Sequence, residues 1–143
     1  GTGPQEAELK RYTAVHGMSN IAFCGYQTGA ALEALVRDAR FIVVPSECYE
    51  NNPMSIIEAY AIGTPVVGAD IGGIPEIVPE GVTGFRFESR NAADLRTKLA
   101  AAARLTEEEY TAMQHAALAF AREHFNTANY YPRLIDFYNQ FVK

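Results

Sequence analysis

Residues 41–78 read FIVVPSECYENNPMSIIEAYAIGTPVVGADIGGIPEIV. Two short apolar runs, Phe41–Val44 and Pro65–Gly68, lie on either side of a polar loop and a segment with helix signals. A run that is apolar throughout is typical of a strand in a parallel sheet, because helices cover both faces of such a sheet. Pro53 fits the first position of a helix that reaches Ile62. The stretch therefore predicts a strand, a helix and a second parallel strand, the unit of an α/β fold.

The rest of the chain alternates strands and helices as far as residue 70 and is mainly helical after it. Further strands are predicted at Ile21–Cys24 and Gly84–Phe87 from short apolar runs next to glycine. Helices are predicted from apolar periodicity and capping residues. They cover Glu6–Val15, Gly29 to about Ala39, a turn at Ile74–Val78, a segment from Asn91 or Ala92 to Arg104, the segment from the cap Thr106 to about His124, and Thr127 to about Phe141. Together these elements predict one α/β domain, residues 1–143, with a small parallel sheet.

The composition is that of an ordinary globular chain with a small acidic excess. The 143 residues are 48% hydrophobic and 20% charged, with a formal net charge of −5. This excludes a wholly disordered or fibrous chain, and the negative charge argues against binding to nucleic acid or to an anionic membrane surface. The apolar runs are far shorter than the ~18–20 residues of a membrane span, and the first residues do not resemble a signal peptide. We therefore expect a cytoplasmic protein that holds any anionic ligand by local features.

The loop Pro45–Asn52 is the most informative place for such a ligand. Ligands of open parallel sheets bind where strands end and loops lead into helices. With Asn52 as the N-cap and Pro53 as the first helical residue, the N–H groups of Met54 and Ser55 would point out of the helix end. Together with the helix dipole, they would form an anion site suited to phosphate.

Two carboxylates flank this helix end. Glu50 lies just before it, and Glu58 lies about five residues inside the helix, roughly 7–8 Å further along the axis at ~1.5 Å per residue. Carboxylates accept hydrogen bonds from vicinal hydroxyl groups. The spacing therefore suits a sugar nucleotide, which has hydroxylated rings on both sides of its diphosphate. From spacing alone, a solvated loop acid and a surface helix residue are the more common outcome.

The same stretch carries a dense set of motifs in fixed order. They are Pro45-Ser46, Glu50 and Glu58-Ala59 with seven residues between the glutamates, Gly63, Pro65-Val66-Val67, Gly72-Gly73, Pro75-Glu76-Ile77-Val78 and Gly81-x-Thr83-Gly84-Phe85. This arrangement closely resembles the donor-binding, C-terminal half of retaining glycosyltransferases of the GT-B type, the group 1 family of capsular, lipopolysaccharide and mannosyl transferases. The resemblance implies an α/β fold with a Rossmann-like parallel sheet flanked by helices.

The resemblance also implies roles for individual residues. Glu50 matches the glutamate that contacts the donor sugar and acts in catalysis, and Glu58 matches the glutamate that holds the ribose hydroxyl groups. The segment that meets the diphosphate and the sugar is matched by Asn52, Pro53, Met54 and Ser55. The loop that approaches the nucleotide base is matched by Tyr26 and Gln27. The resemblance assigns no residue to a metal.

The implied reaction transfers a glycosyl group from a UDP-, GDP- or ADP-sugar to an acceptor hydroxyl with retention at the anomeric carbon. The family uses neither a metal nor another cofactor, because the helix end and cationic side chains neutralise the leaving diphosphate. The form Glu50-Asn51-Asn52-Pro53 resembles enzymes of bacterial polysaccharide synthesis. We therefore expect a role in polysaccharide or glycoconjugate biosynthesis.

In the family, an Arg/Lys pair for the diphosphate and an acceptor-binding N-terminal domain precede the turn that Gly1-Thr2-Gly3-Pro4 matches. The resemblance thus implies an N-terminally truncated donor domain that is inactive alone, from an enzyme peripheral to the inner membrane face. The helix Thr127–Phe141 carries more aromatic surface than one stripe can bury. We expect most of that surface in the core, and the rest as an exposed patch that promotes self-association.

Other functional classes compete with a donor-binding enzyme domain. The alternative is a non-catalytic nucleotide-sugar-binding or oligomerisation module that keeps the same fold. A hydrolase or a dehydrogenase with a doubly wound sheet is disfavoured, because the sequence holds no Gly-x-Ser-x-Gly motif and no complete Gly-x-Gly-x-x-Gly motif.

Overall fold

The computed structural model describes residues 2–141, so Gly1 of the predicted opening turn lies outside the described residues. Contacts divide the chain into two units, Gly1–Leu35 and Val36–Lys143. The first unit contains helix α1, Glu6–Val15, and most of helix α2, Gly29–Asp38. The prediction of a strand at residues 21–24 is wrong. A strand needs a hydrogen-bonded partner, and the described residues of this unit include no other strand.

The second unit is built on a three-stranded parallel sheet in the order β1-β2-β3. Val44 of β1 pairs with Gly68 of β2, which pairs with Arg86 of β3. This confirms the predicted α/β fold with a parallel sheet flanked by helices, while the single domain over residues 1–143 stays a prediction. The elements are β1 Ile42–Val44, α3 Met54–Ala61, β2 Val66–Asp70, α4 Ile74–Ile77, β3 Gly84–Glu88, α5 Ala92–Arg104, α6 Glu107–His124 and α7 Thr127–Asn139.

The central strand β2 is buried on both faces because its side chains alternate between two cores. Val66 belongs to a core that α3, α4 and α6 build on one face of the sheet. Val67 and Ala69 belong to a second core with Phe87 of β3 and Ala102 of α5. The sheet is thus held from both sides, and its carboxyl edge, where β1, β2 and β3 end, is fixed in position.

Capping side chains set two helix starts, and the sequence predicts one of these caps, Thr106. The Asn91 side chain accepts a hydrogen bond of 3.0 Å from the Asp94 N–H at the start of α5. Thr106 and Glu109 form a reciprocal capping box at the start of α6. Such caps satisfy backbone N–H groups that have no partner within the helix.

The last helix, α7, lies on the surface. None of its residues is buried, although it packs against α6. The prediction that most of its aromatic surface belongs to the core is therefore wrong, whereas exposed aromatic side chains are present as expected; they include Tyr130, Tyr131, Phe137 and Tyr138. Self-association through this surface stays a prediction. Among the described residues, no helix combines the length and apolarity needed to cross a membrane.

Candidate functional site

The loop that joins β1 to α3 leaves the carboxyl edge of the sheet and ends at Pro53. Pro53, and not Asn52, is the N-cap of α3: its backbone has φ −66° and ψ 117°, and Met54 is the first helical residue. The prediction that Asn52 caps the helix and Pro53 opens it is therefore wrong by one residue. The proline ring fixes φ alone, so the residue is free to take the extended ψ of a cap. Asn52 is exposed and Pro53 is buried.

The start of α3 presents backbone N–H groups to the loop side. The Ile56 N–H donates to the Pro53 carbonyl oxygen at 3.1 Å, whereas the N–H groups of Met54 and Ser55 come before any partner that the helix offers. No described side chain caps this end, and the helix dipole adds partial positive charge there. This helix end has the chemistry of an anion site, and its occupation by a diphosphate stays a prediction.

The two faces of α3 divide its residues between the core and the solvent. Ile56 and Tyr60 are fully buried, while Met54, Ser55 and Glu58 are exposed. Residues three and four apart lie on the same side of a helix, so Glu58 follows Met54 and Ser55 along the exposed face. The carboxylate of Glu58 therefore stands about 5–6 Å along the axis from the helix start at ~1.5 Å per residue. No hydrogen bond or ion pair to the rest of the described chain occupies it.

Tyr60 holds α3 against α6 and against the residue that precedes β3. Its hydroxyl shares a hydrogen bond of 2.7 Å with Thr83 Oγ1, and its ring packs edge-on against Phe120 of α6 at 5.9 Å between centroids. Burial raises the pKa of the Tyr60 hydroxyl to about 12, although the hydrogen bond from Thr83 opposes the rise. The helix that carries Glu58 is therefore fixed by its own buried face.

Glu50 is held at both its side chain and its backbone. The Ser46 hydroxyl donates to Glu50 Oε1 at 2.5 Å, and the Gly73 N–H donates to the Glu50 carbonyl oxygen at 2.8 Å. Ser46 is fixed in turn, because the Ser89 hydroxyl donates to its carbonyl oxygen at 3.1 Å. Glu50, Ser46 and Ser89 are all half-buried. Glu50 is thus a tethered carboxylate and not the solvated loop acid that spacing alone would favour.

The turn Gly72-Gly73 lies directly against the backbone of the Glu50 loop. A Cβ on Gly72 would stand 2.6 Å from the Glu50 carbonyl oxygen, and Gly72 has a positive φ of 60°. A Cβ on Gly73 would stand 2.0 Å from the Asn51 carbonyl oxygen. Only glycine fits both positions, so the turn after β2 and the loop after β1 are in contact through backbone atoms.

One cation lies beside this loop. Arg90 follows β3 with a φ of 64°, and its Nε lies 3.2 Å from Glu47 Oε2. Both side chains are more than half exposed, so this ion pair adds little to stability. It does place a guanidinium group at the same edge of the sheet as Glu50.

The remaining predicted site residues, Tyr26 and Gln27, belong to the first unit. Tyr26 is 75% exposed, and Gln27 Nε2 donates to the Cys24 carbonyl oxygen at 2.5 Å. This hydrogen bond fixes the Gln27 side chain within its own loop. An approach of these two residues to a nucleotide base stays a prediction.

Sequence reasoning did not single out Ser89 or Arg90, and it used Ser46 only as part of a motif. Both missed residues follow β3 immediately. Parallel strands end at one edge of the sheet, where ligands bind. A search for the first polar residues after each strand would therefore have identified Ser89 and Arg90. Among the described residues, no group of three or more His, Cys, Asp or Glu side chains is placed to hold a metal ion.

Comparison with known proteins identifies sequence relatives of the whole region that contains the site. The profile of the family described as "Glycosyl transferases group 1" matches residues 1–104. The sulfoquinovosyl transferase SQD2 of Arabidopsis thaliana is 37% identical over 102 residues, which are 69% of this chain and 19% of the relative. A glycosyltransferase of Escherichia coli named for colanic acid biosynthesis, WcaL, is 27% identical over 132 residues, 88% of this chain and 32% of the relative. The chain thus spans less than a third of either protein.

Solved structures share the fold. The Anabaena protein Alr3699/HepE, crystallised in complex with UDP, superposes with a TM-score of 0.81 at 24% identity. The match covers 94% of this chain and 36% of the Anabaena chain. At this identity the likeness concerns the fold, and the arrangement of β1, α3 and β2 is therefore one that known structures also adopt.

Proposed function

This chain belongs to the group 1 family of glycosyl transferases, and we propose that it binds the nucleoside diphosphate sugar donor of a retaining glycosyltransferase. The observation that carries the proposal is the junction of the Glu50 loop with α3. The uncapped start of α3, which we propose holds a diphosphate, lies in the chain between Glu50 and Glu58. The Glu50 carboxylate is tethered by Ser46, whereas the Glu58 carboxylate has no protein partner among the described residues. A sugar nucleotide presents hydroxyl groups, a diphosphate and hydroxyl groups in this same order.

Each part of the junction has one task in this proposal. The N–H groups of Met54 and Ser55 hold the diphosphate, and the adjoining Asn52 and Pro53 shape the loop around it. Glu58 accepts hydrogen bonds from the vicinal hydroxyl groups of the ribose. The UDP bound in the Anabaena structure makes uridine nucleotides the first to try, with GDP and ADP nucleotides as alternatives.

In the reaction, the bond from the anomeric carbon to the diphosphate oxygen breaks and a bond to the acceptor oxygen forms. The acceptor hydroxyl gives its proton to the oxygen of the leaving diphosphate, and the configuration of the anomeric carbon is retained. Positive charge develops on the sugar ring in the transition state, and the negative charge of Glu50 stabilises it. The helix end stabilises the leaving diphosphate, so we propose that the reaction proceeds without a metal or another cofactor.

The acceptor side of the reaction is proposed to lie outside these residues. The chain spans 19% to 32% of the two relatives compared above, which leaves room there for an acceptor-binding domain. We expect this stretch alone to transfer no sugar. The proposed role is in polysaccharide or glycoconjugate synthesis, and the name of the Escherichia coli relative, which mentions colanic acid biosynthesis, supports it. We propose that this synthesis takes place at the cytoplasmic side of the membrane.

Calorimetry on the complete protein that contains this chain tests the donor site. UDP, GDP and ADP are titrated into the unmodified protein and into Glu58→Gln. Loss of hydrogen bonds to a charged group weakens binding by a factor of about 10 to 100, so we expect that loss for the preferred nucleotide. Glu123→Gln is the matched control, because Glu123 is an exposed carboxylate on α6 and its loss changes the charge equally.

Two results would contradict the proposal. One is binding of none of the three nucleotides, and the other is an affinity that Glu58→Gln leaves unchanged. Tight nucleotide binding without any transfer from the corresponding sugar donor would favour the non-catalytic binding module instead.

A further inference from the structure

Hydrogen bonds connect Glu50 to residues that follow all three strands. Ser46 lies two residues after β1 and donates to the Glu50 carboxylate. Gly73 lies three residues after β2 and donates to the Glu50 carbonyl oxygen. Ser89 is the first residue after β3 and donates to the carbonyl oxygen of Ser46. The carboxyl edge of the sheet is thus joined into one network that ends at the Glu50 side chain.

The bond between Ser89 and Ser46 crosses over the central strand. β1 and β3 are not neighbours in the sheet, because β2 lies between them. Two strand spacings separate them, about 9.5 Å in total. The two loops must therefore lean towards each other above the end of β2 for Ser89 to reach Ser46 at 3.1 Å. The Gly72-Gly73 turn beneath them has no side chains that would keep the loops apart.

We propose that Ser46 is a positioning residue for Glu50 and that Ser89 fixes Ser46 in turn. This inference rests on the proposed function, in which Glu50 faces the donor sugar. A glutamate has several rotamers of similar energy, and the hydrogen bond from Ser46 selects those that keep Oε1 at its hydroxyl. The second oxygen, Oε2, has no hydrogen-bond partner within the described chain, so it is free for the ligand. Ser46 orients the carboxylate without touching the substrate.

The local surroundings strengthen this coupling. Ser46 and Ser89 are half-buried, so water competes less for their hydroxyl groups than it would on an open surface. A hydrogen bond to a charged acceptor is also stronger than one between neutral groups. The bond from Ser46 to Glu50 should therefore have the larger effect, and the bond from Ser89 to Ser46 the smaller one.

Kinetics on the complete protein test the proposal. The donor is UDP-glucose, or the GDP- or ADP-glucose that calorimetry selects, and the reaction is followed as release of the nucleoside diphosphate with water as the acceptor. We expect Ser46→Ala to lower kcat about tenfold, and Ser89→Ala about threefold, from the usual strengths of charged and neutral hydrogen bonds. The affinity for the nucleoside diphosphate should change less than about twofold, because neither serine lies on α3. The exposed Ser19, which lies outside the site, supplies the matched control Ser19→Ala, which should leave kcat unchanged.

A double-mutant cycle shows whether Ser46 acts by positioning Glu50 or only by stabilising the loop that contains both residues. If Ser46 acts through Glu50, the substitution Ser46→Ala has no further effect on kcat once Glu50→Ala is present. An equal loss of kcat in both backgrounds overturns the proposal. The proposal is also overturned if Ser46→Ala leaves kcat normal while Glu50→Ala lowers it. A normal kcat for Glu50→Ala itself overturns the catalytic part of the proposed function, and the positioning role with it. Nucleotide binding by all the variants shows that they are folded.

Discussion

Helix α3 has fewer aromatic residues than helix α7, yet α3 is the more buried of the two. α3 has one aromatic residue, Tyr60, and it is fully buried. α7 has several, and among them Tyr130 and Tyr138 are 62% and 57% exposed. α3 follows β1 and packs against both β1 and α6, whereas α7 follows α6 at the edge of the unit. Position between the sheet and a second layer, rather than apolar composition, therefore decides which helix is fixed well enough to carry a site.

The largest expected loss of unfolding free energy comes from substituting Tyr60, a fully buried residue of α3. Tyr60→Ala leaves a cavity and an unpaired Thr83 hydroxyl, and substitutions of this kind cost about 3–5 kcal/mol of unfolding free energy. Urea unfolding followed by circular dichroism measures the loss. A cost below ~1 kcal/mol would show that α3 is not fixed by its buried face, and the comparison with α7 would no longer hold.

The second effect is a loss of stability at alkaline pH. Burial raises the pKa of Tyr60 to about 12 in the folded state, above its ordinary value of 10.0. Below pH 10 both states keep the proton; between pH 10 and pH 12 the unfolded state loses it first, so unfolding becomes easier as the pH rises. The unfolding free energy should fall by about 2–3 kcal/mol over this window.

Tyr60→Phe provides the control for this pH dependence. Burial also raises the pKa of Tyr110, which contributes in the same direction. The variant should therefore show a smaller fall between pH 10 and pH 12, rather than none. An unchanged fall in Tyr60→Phe would assign the effect to other groups.

The smallest effect is expected for the exposed aromatic residues of α7. Tyr131→Ala and Tyr138→Ala remove side chains that are 66% and 57% exposed, and such surface substitutions usually change the unfolding free energy by less than ~0.5 kcal/mol. The same urea unfolding experiment measures them beside Tyr60→Ala. A loss comparable with that of Tyr60→Ala would mean that the α7 surface is covered in solution, as self-association would do.

The sequence allowed the order of elements in the second unit to be predicted because the signals there are local. The apolar run before Pro45 and the run after Gly63 are strands in the structure, and Asn91 and Thr106 cap the helices that follow them. The run Ile21–Cys24 has a similar composition but is not a strand. Strand formation depends on pairing with another segment, and a single run of residues carries no information about its partner.

For the candidate site, the sequence predicted which residues lie together at the start of α3, but not every contact between them. The helix start after Pro53 and the carboxylates Glu50 and Glu58 share one short segment, so their spacing predicted that they lie at one junction. The cap position was wrong by one residue because proline constrains φ and leaves ψ open. The tether from Ser89 could not be predicted from spacing, since it depends on two loops that converge above β2.

That tether also has a consequence for how the chain folds. Ser46 and Ser89 are 43 residues apart in sequence, and both crossover connections must be complete before they can meet. Contacts between distant residues form late, because the entropy of closing the intervening loops must first be overcome. A chain that has paired β1 with β2 but not yet β3 would already have the start of α3 and could form the bond from Ser46 to Glu50, but Ser46 would lack the hydrogen bond from Ser89. The bond from Ser89 to Ser46 can therefore form only after β3 has docked, and the support for the Glu50 carboxylate is complete only then.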